Sequence, residues 1–271
     1  MTAEHPRIAQ GREAEILAWD EGRVLRLMRD TDAGDRLAAE RAAMAAVAAH
    51  GVDVPALGEI LEYEGRPGLV MERLGGMDLL SLLAKQPWKV AGAGKTTARL
   101  HVALNAVDAP PSLVESRAQL EATLRRETGI PAELAAAALS MLATLPDGPR
   151  ICHGDFHPGN LMGDGHRACI IDWAQVTRGD PAGDFARTIV ILRAGGFPPG
   201  TPVLLRLAAI PGRRILVRNY EREYRRLTTS DLSRLGDWIA VHAVARMAEE
   251  IEGEVPGLLQ MSGSLSGPAA K

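Results

Sequence analysis

The chain changes character once, near Gly76, and that change limits what it can fold into more than any other feature. Before it, short apolar stretches alternate with turn residues. Residues 15–19, the turn 20–22 and residues 23–29 read as a β-hairpin. A helix should follow, with Thr31 or Asp32 as N-cap, a body from about Asp35 through an Ala-rich stretch, and a stop at Gly51. Residues 52–63 and 66–73 read as two more strands around a turn at Glu64 and Gly65. After Gly76 the pattern is helical over 78–85, 90–105, 116–127 and 131–145, with Pro and Gly at the joints. One β interruption lies inside this half, where 151–152, 160–162 and 168–171 are short apolar runs separated by turn residues. Beyond Pro181 helices resume, with breaks expected around 195–202 and at Pro211 and Gly212, and a last helix over about 230–252. A chain of 271 residues is long for one core, since single cores stop growing near ~250 residues. The expected class is therefore α+β in two lobes. Residues 1–75 form a small antiparallel sheet carrying one helix, and residues 76–271 form a larger, mainly helical lobe.

Composition removes several classes of partner. A net charge of -3 with interspersed signs lacks the basic stripe of a nucleic-acid binder, and four Trp, three Tyr and three Phe are too few for base-stacking platforms. Residues 1–11 hold no apolar core of signal-peptide length, and no uncharged apolar run nears the ~20 residues of a membrane span, so a cytoplasmic protein is expected. Cys152 and Cys169 lack metal-site spacing and read as buried free thiols in strands.

The chemistry concentrates in the β interruption. The segment ICHGDFHPGNLM (151–162) followed by CIIDW (169–173) puts Asp155, Asn160 five residues on, and Asp172 after a strand into one hairpin-sized unit. Phosphoryl transfer needs a carboxylate to orient the attacking hydroxyl and hard oxygen ligands for Mg²⁺. A turn at 163–165 would return the chain antiparallel and bring Asp172 beside Asn160.

With these residues the sequence resembles the aminoglycoside phosphotransferase and choline kinase family, which has a protein-kinase-like fold; HGDxxxxN followed by IDW matches the catalytic-loop and metal-loop pattern of kinases. The resemblance implies Asp155 as catalytic base, Asn160 and Asp172 as Mg²⁺ ligands, and His153 as a brace for the loop. It further implies ATP or GTP as co-substrate and a small-molecule hydroxyl as acceptor, with aminoglycosides and other antibiotics among the candidates. The family's phosphate-holding strand Lys corresponds to Arg26, a departure that keeps the charge but changes the geometry; only four residues of the chain are Lys. Glu40 is the matching helix partner, and it shares a stripe with Leu37, Met44 and Val47. Glu72 and Leu74 would bond the nucleotide base through their backbones, Ile171 would lie against the nucleotide, and Gln10–Glu13 would form a sparse turn over the phosphates. Asp184, in GDPAGD (179–184), matches the family's support for the catalytic loop, while Asp180 and Pro181 also read as an N-cap and first helical residue.

Three other patterns compete. GAGKTT (92–97) looks like a phosphate loop, but Lys89 stands where its first Gly belongs and no strand precedes it, so helix is expected. Gly154-Asp-Phe-His157 resembles a motif of two-metal phosphoesterases, but the chain lacks that family's later Gly-Asn-His, so His157 reads as a loop-packing or substrate-side residue. The acidic run Glu249, Glu250, Glu252 and Glu254 has the charge to attract an amine-bearing acceptor such as an aminoglycoside, but the favoured reading is a solvated helix face, with Arg246 pairing Glu250. The rival to an enzyme is a kinase-like fold that binds its ligand without catalysis.

Overall fold

The computed structural model describes residues 5–11, 13–126, 129–163, 168–196, 203–251, 253–263 and 265. Its first lobe is a five-stranded antiparallel sheet of β1 (Arg7–Gln10), β2 (Ala14–Asp20), β3 (Arg23–Met28), β4 (Leu57–Tyr63) and β5 (Arg66–Glu72), in the order β1-β2-β3-β5-β4. The exposed four-residue β1 carries no alternation that the sequence could reveal. Glu64 and Gly65 both take positive φ, 53° and 73°, as a two-residue hairpin with matched twist requires. Strand alternation sends Leu25 and Leu27 to one face, where they pack with Leu17 and Val70, and turns Arg26 to the other with Met28.

On that second face lies α1 (Gly34–Ala49), which buries Leu37, Met44 and Val47 against Met28 and Leu69. Its N-cap is Ala33, without a side-chain cap, rather than Thr31 or Asp32. Asp30 Oδ1 instead accepts the Asp32 N–H at 3.0 Å and organises the turn one step earlier. The helix ends at Gly51, with φ 78°.

The second lobe opens with β6 (Met77–Asp78), α2 (Leu79–Lys85), α3 (Val90–Asn105), α4 (Ser116–Arg125) and α5 (Ala132–Leu142). The β interruption follows as β7 (Arg150–Cys152), β8 (Leu161–Gly163) and β9 (Ala168–Ile170), then β10 (Thr177–Gly179), a strand too short to be read from sequence. These make a three-stranded sheet β6-β8-β9 and a pair β7-β10, all antiparallel. The turn expected at 163–165 lies partly outside the described residues. Four helices complete the lobe: α6 (Pro181–Ala194), α7 (Val203–Leu227), α8 (Leu235–Met247) and α9 (Val255–Met261). Cys152 and Cys169 are buried thiols in strands β7 and β9.

Two helical expectations fail for local reasons. No break occurs at Pro211: α7 runs through it, and the proline sits on the exposed side, where a missing backbone donor costs least. The last helix is shorter than 230–252, because Asp231 Oδ1 accepts from the Ser233 N–H at its start and Glu250 and Gly253 take positive φ beyond its end. The breaks expected over 197–202 lie outside the described residues.

One apolar core spans the two lobes. Leu37, Met44 and Val47 of α1 belong to the same buried cluster as Ile151, Phe156, Ile170 and Trp173 around the β interruption. The Ile170 N–H also donates to Asp53 O at 2.9 Å, so the sheet's helix and the candidate loop are held as one body.

Candidate active site

The loop from His153 to Asn160 is fixed from beneath by a buried carboxylate. Asp180 caps α6 by accepting from the Ala182 N–H at 2.9 Å, with Pro181 at the first helical position, and this turns Asp184 inward. Asp184 then accepts four hydrogen bonds: from the backbone N–H of His153 (2.8 Å) and Gly154 (2.9 Å), from Asn105 Nδ2 (3.0 Å) and from His101 Nε2 (2.8 Å). Burial works to raise this carboxyl, but the His101 ring, Asn105 and the loop amides outweigh it and hold the group far below the usual carboxylate range. Gly154 has φ 77°, and a Cβ there would lie 2.4 Å from Gln175 O, so only glycine fits. His153 is fully buried and ties the loop to the residue after β9, with Nε2 donating to Ile171 O (3.1 Å) and Nδ1 accepting from the Asp155 N–H (3.3 Å). Burial lowers its pKa, which keeps the ring neutral, as this donor-and-acceptor role needs.

Above this support Asp155 opens into the cleft. Asn160 Nδ2 donates to both Asp155 O (2.8 Å) and Asp155 Oδ2 (3.0 Å), so the two residues form one unit. Burial raises the Asp155 pKa, but His157, with Nε2 3.6 Å from Oδ2, and the more distant Arg187 overcome that and hold it at about 2. His157 also accepts the Gly159 N–H at 3.0 Å, a loop-packing role of the kind its sequence position implies. The Ile171 N–H donates to Asn160 O at 3.0 Å, and Asp172, exposed with φ 60°, follows in a left-handed conformation. Asp155, Ile171 and Asp172 all line one cleft of about 1000 Å³.

The first lobe closes the other side of that cleft. Arg26 NH1 meets Glu40 Oε2 at 2.5 Å, the strand-to-helix pair expected from sequence, and both line the cleft. Burial raises the Glu40 carboxyl and Arg26 offsets part of that rise. Glu72 and Leu74 line the cleft where the lobes join; the Glu72 side chain accepts from the Ala56 N–H at 2.9 Å. Gly11 and Glu13 also face it, with the turn closed by Gly11 N–H donating to Ala14 O at 2.8 Å; Arg12 lies outside the described residues. A bridge missed in the sequence joins this turn to the helical lobe: Gln175 Nε2 donates to Glu13 Oε1 (3.3 Å) and Gln119 Nε2 donates to Gln175 Oε1 (2.8 Å). Neutral amides more than fifty residues apart leave no sequence signal.

The far end of the cleft departs from expectation. Glu249 and Glu254 are not a solvated face: Glu249 accepts from Arg187 NH2 (2.5 Å) and Arg246 NH1 (3.0 Å), and buried Glu254 accepts from Arg246 Nε (2.6 Å) and NH2 (3.0 Å). Arg246 therefore pairs with Glu249 and Glu254, not Glu250, because α8 ends at Met247 and the chain turns back over it. Glu252 lies outside the described residues. Arg187, unremarked in the sequence, also donates through Nε to Gly154 O at 3.1 Å, beside Asp155.

Among the described residues no group of three or more His, Cys, Asp or Glu is arranged to hold a metal ion. The donors present nevertheless suit Mg²⁺: the exposed carboxylate of Asp172 and the amide oxygen left on Asn160 once its Nδ2 is committed to Asp155. A magnesium ion commonly takes one or two protein oxygens and completes its shell with phosphates and water.

A family model described as the phosphotransferase enzyme family matches residues 5–227. No curated protein sequence matches the chain. Solved structures share its fold at low identity, among them the following three. A thermostable mutant of the aminoglycoside phosphotransferase APH(4)-Ia, in ternary complex with AMP-PNP and hygromycin B, is 18% identical with TM-score 0.64, covering 98% of this chain and 91% of that one. A choline/ethanolamine kinase family protein from Mesorhizobium loti is 16% identical with TM-score 0.58, covering 99% and 90%. APH(2")-IIia, in a GDP and kanamycin complex, is 14% identical with TM-score 0.60, covering 97% and 94%. With most of its length matched by the family model, and a small antiparallel sheet and a larger helical lobe facing each other across one cleft, the chain belongs to the phosphotransferase enzyme family.

Proposed function

We propose that the protein transfers the γ-phosphoryl group of ATP or GTP to the hydroxyl of a small molecule. The observation that carries this is the convergence of Asp155, Asp172 and the Arg26–Glu40 pair on one cleft between a nucleotide-holding lobe, residues 1–75, and an acceptor lobe, residues 76–271. Structures of the same fold hold AMP-PNP with hygromycin B, or GDP with kanamycin, which supports a nucleotide and a small acceptor here. Arg26 gives NH1 to Glu40 and keeps its other N–H groups for phosphate oxygens. Glu72 and Leu74 present backbone to the base, and Ile171 packs against the nucleotide. Asn160 and Asp172 would hold Mg²⁺, which when bound neutralises charge on the phosphates.

In this reading Asp155 orients the acceptor hydroxyl. The hydroxyl oxygen forms a bond to the γ-phosphorus as the bridging P–O bond to the β-phosphate breaks, and the hydroxyl proton goes to the Asp155 carboxylate. A carboxylate held at about 2 is a weak base in the ground state, so it accepts the proton late, as the loose transition state of phosphoryl transfer permits. His153 and Asp184 act as positioning residues beneath the loop. No helix among the described residues is long and apolar enough to cross a membrane, and the reading places the reaction in the cytoplasm, where nucleoside triphosphates are supplied.

Asp155→Ala should lower turnover by about two to four orders of magnitude while nucleotide affinity changes little. Near-normal turnover removes Asp155 from the mechanism. Arg26 in place of the family's Lys favours a second reading, a ligand-binding protein without catalysis. Under that reading the wild-type chain binds nucleotide but yields no phosphorylated acceptor with any alcohol.

A further inference from the structure

The acceptor end of the cleft has a charge pattern that restricts what it can take, given the phosphotransferase reading on which this inference rests. A polycationic aminoglycoside carries several ammonium groups, and each needs an unpaired carboxylate or comparable acceptor once it leaves water. Among the described residues the helical lobe lines the cleft with the carboxylates of Asp155, Asp172 and Glu249, and both oxygens of Glu249 are taken, by Arg187 at 2.5 Å and Arg246 at 3.0 Å. Arg246 cannot swing away to release it, because two further hydrogen bonds fix it to buried Glu254. His242 lines the same wall, and burial together with Arg187 holds its pKa at about 3, so it adds no charge of either sign at neutral pH. Arg126 also lines the cleft; it is exposed, and its guanidinium makes no hydrogen bond or ion pair among the described residues.

We propose that the acceptor is a hydroxyl compound carrying an anionic group, a carboxylate or phosphate ester, that Arg126 meets while the hydroxyl lies on Asp155, and that polycationic aminoglycosides are rejected. A guanidinium pairs well with either anion through two parallel hydrogen bonds, whereas an ammonium ligand at the same place meets repulsion from Arg126 and finds Glu249 already neutralised. The transfer step itself is unchanged, from nucleoside triphosphate to alcohol with the proton on Asp155.

The test uses the full chain with Mg²⁺ and nucleotide. Calorimetric titration of kanamycin in the presence of Mg²⁺ and ADP should show no binding tighter than about 1 mM; a micromolar dissociation constant overturns the proposal. In parallel, kcat/KM is compared for a series of short hydroxy acids and phosphorylated alcohols, each against its neutral amide or parent diol. The anionic member should be favoured at least about tenfold, and Arg126→Gln should remove that preference without reversing it. A preference for the neutral members, a preference that survives Arg126→Gln, or no transfer to any anionic alcohol overturns it. Failure of the phosphotransferase reading is distinguished by a separate signal, the absence of Mg²⁺-dependent nucleotide binding by the wild-type chain.

Discussion

Four donors converge on the Asp184 carboxylate, two of them backbone amides of the loop that carries Asp155. Its removal therefore strikes stability and catalysis together. Asp184→Ala leaves the buried His101 and Asn105 side chains and two amides without their acceptor and should cost about 3–5 kcal/mol. The sign of the pH dependence follows from a pKa depressed in the folded state. The stabilisation is fully present above the unfolded value near 4 and is lost as pH falls through the folded value. Denaturant melts of wild type and variant should thus differ most at neutral pH and converge in acid; a gap that widens below pH ~4 contradicts the assignment. The sequence singles out Asp184 only through family resemblance. Its partners His101 and Asn105 sit about eighty residues earlier on a helix with no chemical signature, so only folding reveals the network. The grouping of Asp155, Asn160 and Asp172 rests on local spacing, which a sequence can display. Arg187 and the pairing of Glu249 have no such spacing, because they join α6 to the turn after α8.

Helix α3 shows why a motif read in isolation misleads. The phosphate-loop likeness of residues 92–97 lies within α3, where Gly94 answers to packing and Gly92 does not. A Cβ on Gly94 would lie 2.6 Å from Leu216 O on α7, whereas a Cβ on Gly92 would meet nothing within 4 Å. Gly94→Ala should destabilise by about 1–3 kcal/mol as α3 and α7 are forced apart. Gly92→Ala, at an exposed helical position, should stabilise by up to about 1 kcal/mol through helix propensity. Thermal melts of the two variants decide the matter, and equal shifts would mean that the glycine contact does not set the spacing of these helices. Most element positions followed from periodicity and turn residues. Exceptions were short strands such as β1 and β10, with too few residues for a period, and α7, where an exposed face tolerates Pro211.

At the scale of the molecule, a single buried cluster runs from α1 through the β interruption, so the pair Arg26–Glu40 and the loop bearing Asp155 are referenced to the same core. Such a cleft is preorganised on both walls, and a nucleotide bridging them adds to global stability by mass action. The antiparallel sheet with one helix, the helical lobe and the cleft between them were expected from sequence. The acceptor's character was not, because it depends on which charges cancel across α6, α8 and the turns that follow. The central claim is that Asp172 and Asn160 hold one Mg²⁺-nucleotide in that cleft. Thermal unfolding with nucleotide at a hundredfold excess over its dissociation constant, with and without Mg²⁺, tests it in wild type and in Asp172→Asn. The account predicts a gain of about 2.7 kcal/mol in wild type that requires the metal and is largely lost in the variant. A gain of the same size without Mg²⁺, or one undiminished in Asp172→Asn, contradicts it.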